Sequence, residues 1–170
     1  DVQILPRVKS DTQSYKKFIL GDGGAIEKWM KKGIGGFRLD VADELSDDFL
    51  ATLNFKLKSI NPNGVIYGEV WEDASNKIAY DKRKQYFLGN ELDSVMNYPL
   101  REAIIDYIKC GNSELLKDTF VMLYSHYPKS ATDILMNVLG THDTERILTV
   151  LGGKSSDGLT NEQLSTMKMS

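Results

Sequence analysis

The chain has 170 residues, 41% of them hydrophobic, which is enough for one domain with a real core and too mixed for a disordered or membrane-spanning protein. A net charge of −3 gives no reason to propose a nucleic-acid partner, and no apolar run is long enough to cross a bilayer. The lone Cys110 permits no intrachain disulfide and argues against a cysteine-based zinc site; it reads as a half-buried residue at a helix end.

Residues 1–22 read as a loop and a short helix. Ile26, Trp29 and Met30 form an i, i+3, i+4 stripe that predicts a helix over 23–32. Gly33, Gly35 and Gly36 break it, and Phe37–Asp40 follows as a strand. Ser46 is a fitting N-cap, with Asp47 and Asp48 favoured in the first turn by the helix dipole. Phe49, Leu53, Leu57 and Ile60 then share one apolar face, and Asn61-Pro62-Asn63-Gly64 is a turn before a second strand, Val65–Glu69. The polar stretch 72–92 reads as a long loop with a helix inside it, and Leu92–Asn97 as a third short apolar segment. Helices follow from Leu100 to Lys109 and from Ser113 to Tyr124, separated by Cys110-Gly111-Asn112. Ile134–Leu139 reads as a fourth strand, with a helix from Thr144 to the Leu151-Gly152-Gly153 stop and a last one capped by Thr160 or Asn161. The chain opens on Asp1 with no signal peptide and stops at Ser170 inside a helical pattern, so it reads as incomplete.

Strands alternating with helices imply parallel βαβ units, either an open doubly wound sheet or part of a (β/α)8 TIM barrel. A complete barrel needs ~250 residues. The chemistry-bearing residues all fall at strand ends, where parallel α/β folds place their sites. Arg38 and Asp40 are two apart in a strand and therefore share a face, and a guanidinium keeps a paired carboxylate ionised, as a nucleophile requires. Glu69 ends the next strand one βαβ unit later, with Tyr67, Val70 and Trp71 around it and no adjacent cation. Two carboxyls ~5–5.5 Å apart in unlike environments are what retaining glycoside cleavage needs. Taken singly, Asp40 also reads as a cap of the next helix, Glu69 as surface decoration, and Asp143 of the His142-Asp143 pair as a cap for 144–150. Trp71 and Tyr98 can stack on sugar rings or pack in the core, the latter especially for Tyr98. His126 reads as a surface residue with nothing around it.

Taken together, these residues resemble a known family. Gly36-Phe37-Arg38-Leu39-Asp40-Val41-Ala42, Gly68-Glu69-Val70-Trp71 and Leu139-Gly140-Thr141-His142-Asp143-Thr144 are similar, in order, to the strand-four, strand-five and strand-seven motifs of the α-amylase family, glycoside hydrolase family 13. Leu5-Pro6-Arg7-Val8 resembles the short motif before strand four, and Asp93-Ser94-Val95-Met96-Asn97-Tyr98-Pro99 resembles strand six and its exit. Trp71, the Met-Asn-Tyr-Pro run and the stretch from His142 to Leu148 look most like the neopullulanase, cyclomaltodextrinase and maltogenic amylase branch. Thr141 stands where the family usually has Asn or Ser, and Gly35 where Asp is common.

The resemblance implies a partial (β/α)8 barrel, from about strand four to the helix after strand seven. The whole chain would be part of one catalytic domain, with the other strands and a C-terminal β-domain absent. It implies Asp40 as nucleophile, Glu69 as general acid/base and Asp143 as the residue that holds the sugar hydroxyls at C2 and C3. Arg38 would keep Asp40 ionised, His142 would bond the same sugar, Trp71 would contact substrate, and Arg146 would serve an outer subsite or pair with an acid. The expected activity is retaining hydrolysis of α-1,4, and also α-1,6, links in an α-glucan or maltooligosaccharide, with transfer to another sugar as a competing outcome.

No cofactor is expected in the reaction and no metal ligands in this chain; calcium stays open for the parent protein. No nucleic-acid or membrane partner is expected. A half barrel leaves two sheet edges open, so the segment alone is expected to be inactive or to pair as a homodimer. A cytoplasmic location is the expectation, with secretion left open by the missing N-terminus. A non-catalytic relative acting as a binding module should have lost one of Asp40, Glu69 or Asp143, and all three are present. A metal-dependent hydrolase should show more histidines than His126 and His142, and a nucleotide-binding sheet should carry its glycine-rich loop after the first strand rather than before it.

Overall fold

The structure, a computed structural model, describes residues 8–152, 161, 162 and 165. The expectations on Leu5–Arg7 and Thr160 lie outside the described residues. The chain divides into two compact units, one of residues up to Val70 together with Ala74–Val95, the other of Trp71–Asp73 together with the residues from Met96 onward.

The first unit begins with helix α1, Gln13–Leu20, capped by the Thr12 hydroxyl, which accepts from the Tyr15 N–H. Helix α2, Ala25–Lys31, starts after Gly24 and buries Ile26 and Met30. Trp29 does not join that stripe: it is 52% exposed, with the Lys32 ammonium 4.9 Å from its ring centre. Strand β1 is Gly36–Leu39, and a 3-10 turn over Ala42–Glu44 leads to helix α3, Asp47–Ile60. Ser46 caps α3 as expected, accepting from the Phe49 N–H. Phe49, Leu50, Leu53 and Leu57 are buried on its inner face, while Ile60 stays half-buried at the end. Each such buried side chain stabilises by about 1.5–3 kcal/mol.

Strand β2, Val65–Gly68, runs parallel to β1 with Gly36 opposite Val65 and Leu39 opposite Gly68. The strands meet this closely because residue 36 is glycine: a Cβ there would lie 2.0 Å from the Val65 carbonyl oxygen. Asp93 fastens the other side of β2, accepting from the Ile66 N–H at 2.8 Å and pairing with Lys58 at 2.7 Å.

The helix expected within 72–92 is absent. In its place is an antiparallel hairpin, β3 (Ile78–Ala79) and β4 (Lys82–Arg83). Its two-residue turn puts Tyr80 and Asp81 at φ 54° and 60°, the geometry of a type I′ turn. The polar residues that made this stretch hard to read bind the segment after β1. The Tyr80 hydroxyl donates to Glu44 at 2.5 Å, the Tyr86 hydroxyl to Asp43 at 2.5 Å, and Lys84 to the Leu45 carbonyl and Asp47 at 2.8 and 3.0 Å. Strand β5, Ser94–Val95, closes the sheet in the order β1-β2-β5, all parallel.

In the second unit, helix α4 (Tyr98–Cys110) begins with Pro99 in its first turn and an Asn97 cap on the Leu100 N–H. It stops at Gly111, whose φ of 70° suits glycine. Cys110 does end this helix, but it is exposed rather than half-buried. Helix α5, Ser113–His126, is capped by Asn112 and packs on α4. A short helix α6, Lys129–Thr132, follows Pro128.

The fourth strand expected over Ile134–Leu139 reduces to one parallel bridge, Met96 to Met136. An apolar run becomes a strand only where a ladder of partners runs beside it, and here a single pair forms, backed by Asn97 Nδ2 donating to Asn137 at 2.9 Å. Helix α7 is only Ile147–Val150, and Arg146 is its N-cap, so Asp143 does not cap it. None of the described helices is long and apolar enough to cross a membrane.

Candidate active site

In the first unit the in-register strands β1 and β2 bring Asp40 and Glu69, the residues after their last pair, to the same sheet end. The pairing continues past the strands: the Glu69 N–H donates to the Leu39 carbonyl at 3.0 Å, and the Ala42 N–H to the Glu69 carbonyl at 3.2 Å. Arg38 is ion-paired with Asp40, as their shared face predicts. The same guanidinium also reaches Glu69, with Nη2 2.8 Å from Oε1. This corrects the expectation that Glu69 has no cation beside it: sequence neighbours of Glu69 carry no charge, but strand register delivers one from β1.

The two carboxyls differ instead in solvent access. The residue Glu69 is 4% exposed, whereas the Asp40 side chain is 69% exposed. The second oxygen of Glu69 accepts from the Val41 backbone N–H at 2.8 Å. That donor is aimed by an unusual backbone, since Val41 is left-handed at φ 40°, ψ 62°. A β-branched residue pays about 1–2 kcal/mol for that conformation, and the bond to a buried carboxylate is a direct return on it.

The second unit holds the remaining predicted residues. Trp71 stacks on Tyr98 with ring centres 4.1 Å apart and planes 10° from parallel. Tyr98 is buried, the core role expected for it, and Trp71 remains 47% exposed. His142 and Asp143 pair, with Nε2 2.9 Å from Oδ2, and both are open to solvent. Two threonines shape their turn: the Thr141 hydroxyl accepts from the Asp143 N–H at 3.2 Å, and the Thr144 hydroxyl from the Thr141 N–H at 2.8 Å. Arg146 is exposed, and among the described residues no ion pair involves it. Thus Arg38, Asp40 and Glu69 meet in the first unit, and Trp71, His142, Asp143 and Arg146 belong to the second.

Sequence reasoning missed four groups. Arg101, buried on α4, donates from Nε to the Leu139 carbonyl at 3.0 Å and from Nη2 to the Glu145 carbonyl at 3.4 Å, clamping the loop that carries His142 and Asp143. His126 is not a lone surface residue: its Nδ1 lies 2.7 Å from Asp73 Oδ2. Glu91 is buried with Oε2 lacking a hydrogen-bond partner, and burial, reinforced by Asp47 and eased by Lys84, pushes its carboxyl up to about 7. Buried Tyr86 is pushed well above the usual phenol range by desolvation and then by Asp43. The only local signal for Arg101 is a charged residue on the inner face of a helix; the other contacts join residues far apart in the chain. Among the described residues no cluster of three or more His, Cys, Asp or Glu side chains could hold a metal ion.

Residues 5–169 match the family model for the α-amylase catalytic domain. The chain is 34% identical to neopullulanase 2 of Thermoactinomyces vulgaris over 157 residues, 91% of this chain and 25% of that protein. It is 32% identical to a cyclomaltodextrinase of a Bacillus species over 153 residues, 88% of this chain and 25% of that protein. Among solved structures it is similar to a cyclomaltodextrinase, with a TM-score of 0.74 at 32% identity over 85% of this chain and 23% of that one. The type III pullulan hydrolase of Thermococcus kodakarensis superposes with a TM-score of 0.75 at 27% identity, over 94% of this chain and 27% of that one. The chain therefore spans about a quarter of the length of the curated relatives it matches.

Proposed function

Because the chain belongs to the α-amylase family, as a segment of its (β/α)8-barrel catalytic domain, we propose that the protein carrying it is a retaining α-glucan hydrolase. The observation that carries this reading is the pair of carboxyls on adjacent parallel strand ends, both held by Arg38. Asp40, open to solvent and ion-paired, attacks the anomeric carbon and forms the glycosyl-enzyme. Glu69, buried and fixed at both oxygens, gives a proton to the leaving oxygen and later takes one from water. Retaining glycosidases use two carboxyls in these two roles. Water and a sugar hydroxyl compete for the same intermediate, so transfer accompanies hydrolysis.

Asp143 and His142 act on the sugar hydroxyls, Trp71 on an apolar sugar face, and Arg146 at an outer subsite. These assignments rest on the motif resemblance and on the exposure of the four side chains. The names of the relatives, which include a neopullulanase and cyclomaltodextrinases, point to maltooligosaccharide, cyclodextrin and pullulan links, α-1,4 and also α-1,6, as substrates. In this reading β1, β2 and β5 are barrel strands four, five and six, and Met136 marks the seventh. The whole chain is one part of a single catalytic domain completed by the rest of the protein. The two-carboxylate scheme needs no cofactor, and a calcium ion in the full protein takes no part in it. We place the protein in the cytoplasm, with secretion as the alternative.

The full-length protein should turn over maltodextrin, cyclodextrin or pullulan. Asp40→Asn and Glu69→Gln should each lower kcat/KM by about a thousandfold or more, ~4 kcal/mol of transition-state stabilisation. Unchanged turnover in either variant would overturn the assignment.

A further inference from the structure

We propose that His126 is a positioning residue: its hydrogen bond with Asp73 fixes the segment Trp71–Asp73, and with it the indole that meets the sugar in the reading above, on which this inference rests.

The support is rigid. His126 is the last residue of α5, a 14-residue helix capped by Asn112 and packed on α4. Its Nδ1 lies 2.7 Å from Asp73 Oδ2, and the pair is partly withdrawn from water, with side chains 46% and 19% exposed. Asp73 follows Trp71 by two residues. A residue spans at most ~3.6 Å of chain, so fixing Asp73 in space confines the Trp71 Cα to within about 7 Å of a fixed point.

The stack on Tyr98 does a different job. Ring centres 4.1 Å apart and planes 10° from parallel set the tilt of the indole. The stack acts on the ring, whereas the contact at Asp73 acts on the chain two residues further along. Tyr98 orients the ring and His126, through Asp73, places the chain beneath it. Trp71 keeps 47% of its surface exposed and so presents a fixed apolar face to a ligand. A sugar that stacks there loses less freedom when the platform is already in place. The effect belongs to binding rather than to bond cleavage, because neither His126 nor Asp73 supplies a proton or a nucleophile.

The test uses the full-length protein labelled with 5-fluorotryptophan, the Trp71 fluorine resonance being identified by its loss in Trp71→Phe. His126→Ala should shift and broaden that resonance and raise KM for maltodextrin about three- to tenfold, with kcat within about twofold. The exchanged pair, Asp73→His with His126→Asp, should restore both readouts. His126→Gln, which retains a donor for Asp73, should lie between the alanine variant and the parent and covers the case in which the alanine variant does not fold. An unmoved resonance, a wild-type KM, or a loss confined to kcat overturns the proposal. If the parent protein turns over no α-glucan, the functional reading falls instead and the resonance alone judges the tether: moved supports it, unmoved overturns it.

Discussion

Glu91 shows how a single residue can set a pH limit that no motif announces. Its carboxyl is buried, and its raised value of about 7 compares with 4.5 for the free side chain. The folded state holds this proton more tightly than the unfolded chain does. Its contribution to stability is therefore full below 4.5 and is lost as pH rises through about 7. The loss is of order 3 kcal/mol. Glu91→Gln in the full-length protein should remove that fall, leaving the urea midpoint nearly flat between about pH 5 and pH 8 while the parent declines. Parallel curves for the two proteins would sink the assignment. The sequence offers no hint of it, because Glu91 sits in a polar stretch and comes near Asp47 and Lys84 only in the fold. Arg38 and Asp40, by contrast, were legible, since a spacing of two in a strand is enough to put them on one face. The contact from Arg38 to Glu69 was not, because it depends on which residues of β1 and β2 lie opposite one another.

Elements were readable where local chemistry decides them and misread where partners do. Ser46 and the Cys110-Gly111-Asn112 break mark helix ends by local chemistry alone, and α3, α4 and α5 lie close to the ranges read for them, while the Asn97 cap that starts α4 at Tyr98 went unread. The run Ile134–Leu139 has strand composition but finds only one paired residue. The hairpin at 78–83 was hidden because Tyr80-Asp81 is not a turn sequence that announces itself. Strand contact also makes a sharp prediction at Gly36. A methyl group there meets Val65 backbone atoms at 2.0 and 2.8 Å, which cannot rotate aside. Gly36→Ala should cost about 3 kcal/mol by overpacking. Gly35→Ala, with nothing within 4 Å of its added carbon, should stay within about 0.5 kcal/mol of the parent. Equal denaturation midpoints for the two variants would contradict the close approach of β1 and β2.

On the scale of the molecule, three short motifs in order identified the family, and residues 5–169 match its catalytic-domain model. Their spacing is legible because each sits at a strand end or turn that the barrel repeats. The chain spans about a quarter of the length of the curated relatives it matches. Among the described residues β1 and β5 are edge strands of a three-stranded sheet. Unpaired edges seek partners. The isolated 170-residue chain should therefore give no steady turnover of maltodextrin and should run in light scattering as a homodimer or larger species. A soluble, active monomer would contradict both expectations.

The sharing of one guanidinium between two carboxyls also bears on electroneutrality in the reaction proposed above. In that scheme the acid must bring a proton to the leaving oxygen, and Arg38 and Asp40, which are ion-paired, then balance each other before a neutral sugar. When the proton leaves for the glycosidic oxygen, the three side chains together become singly negative at the moment the sugar ring becomes positive. A transition state of oxocarbenium character is thus matched by a field that appears with it and fades with it.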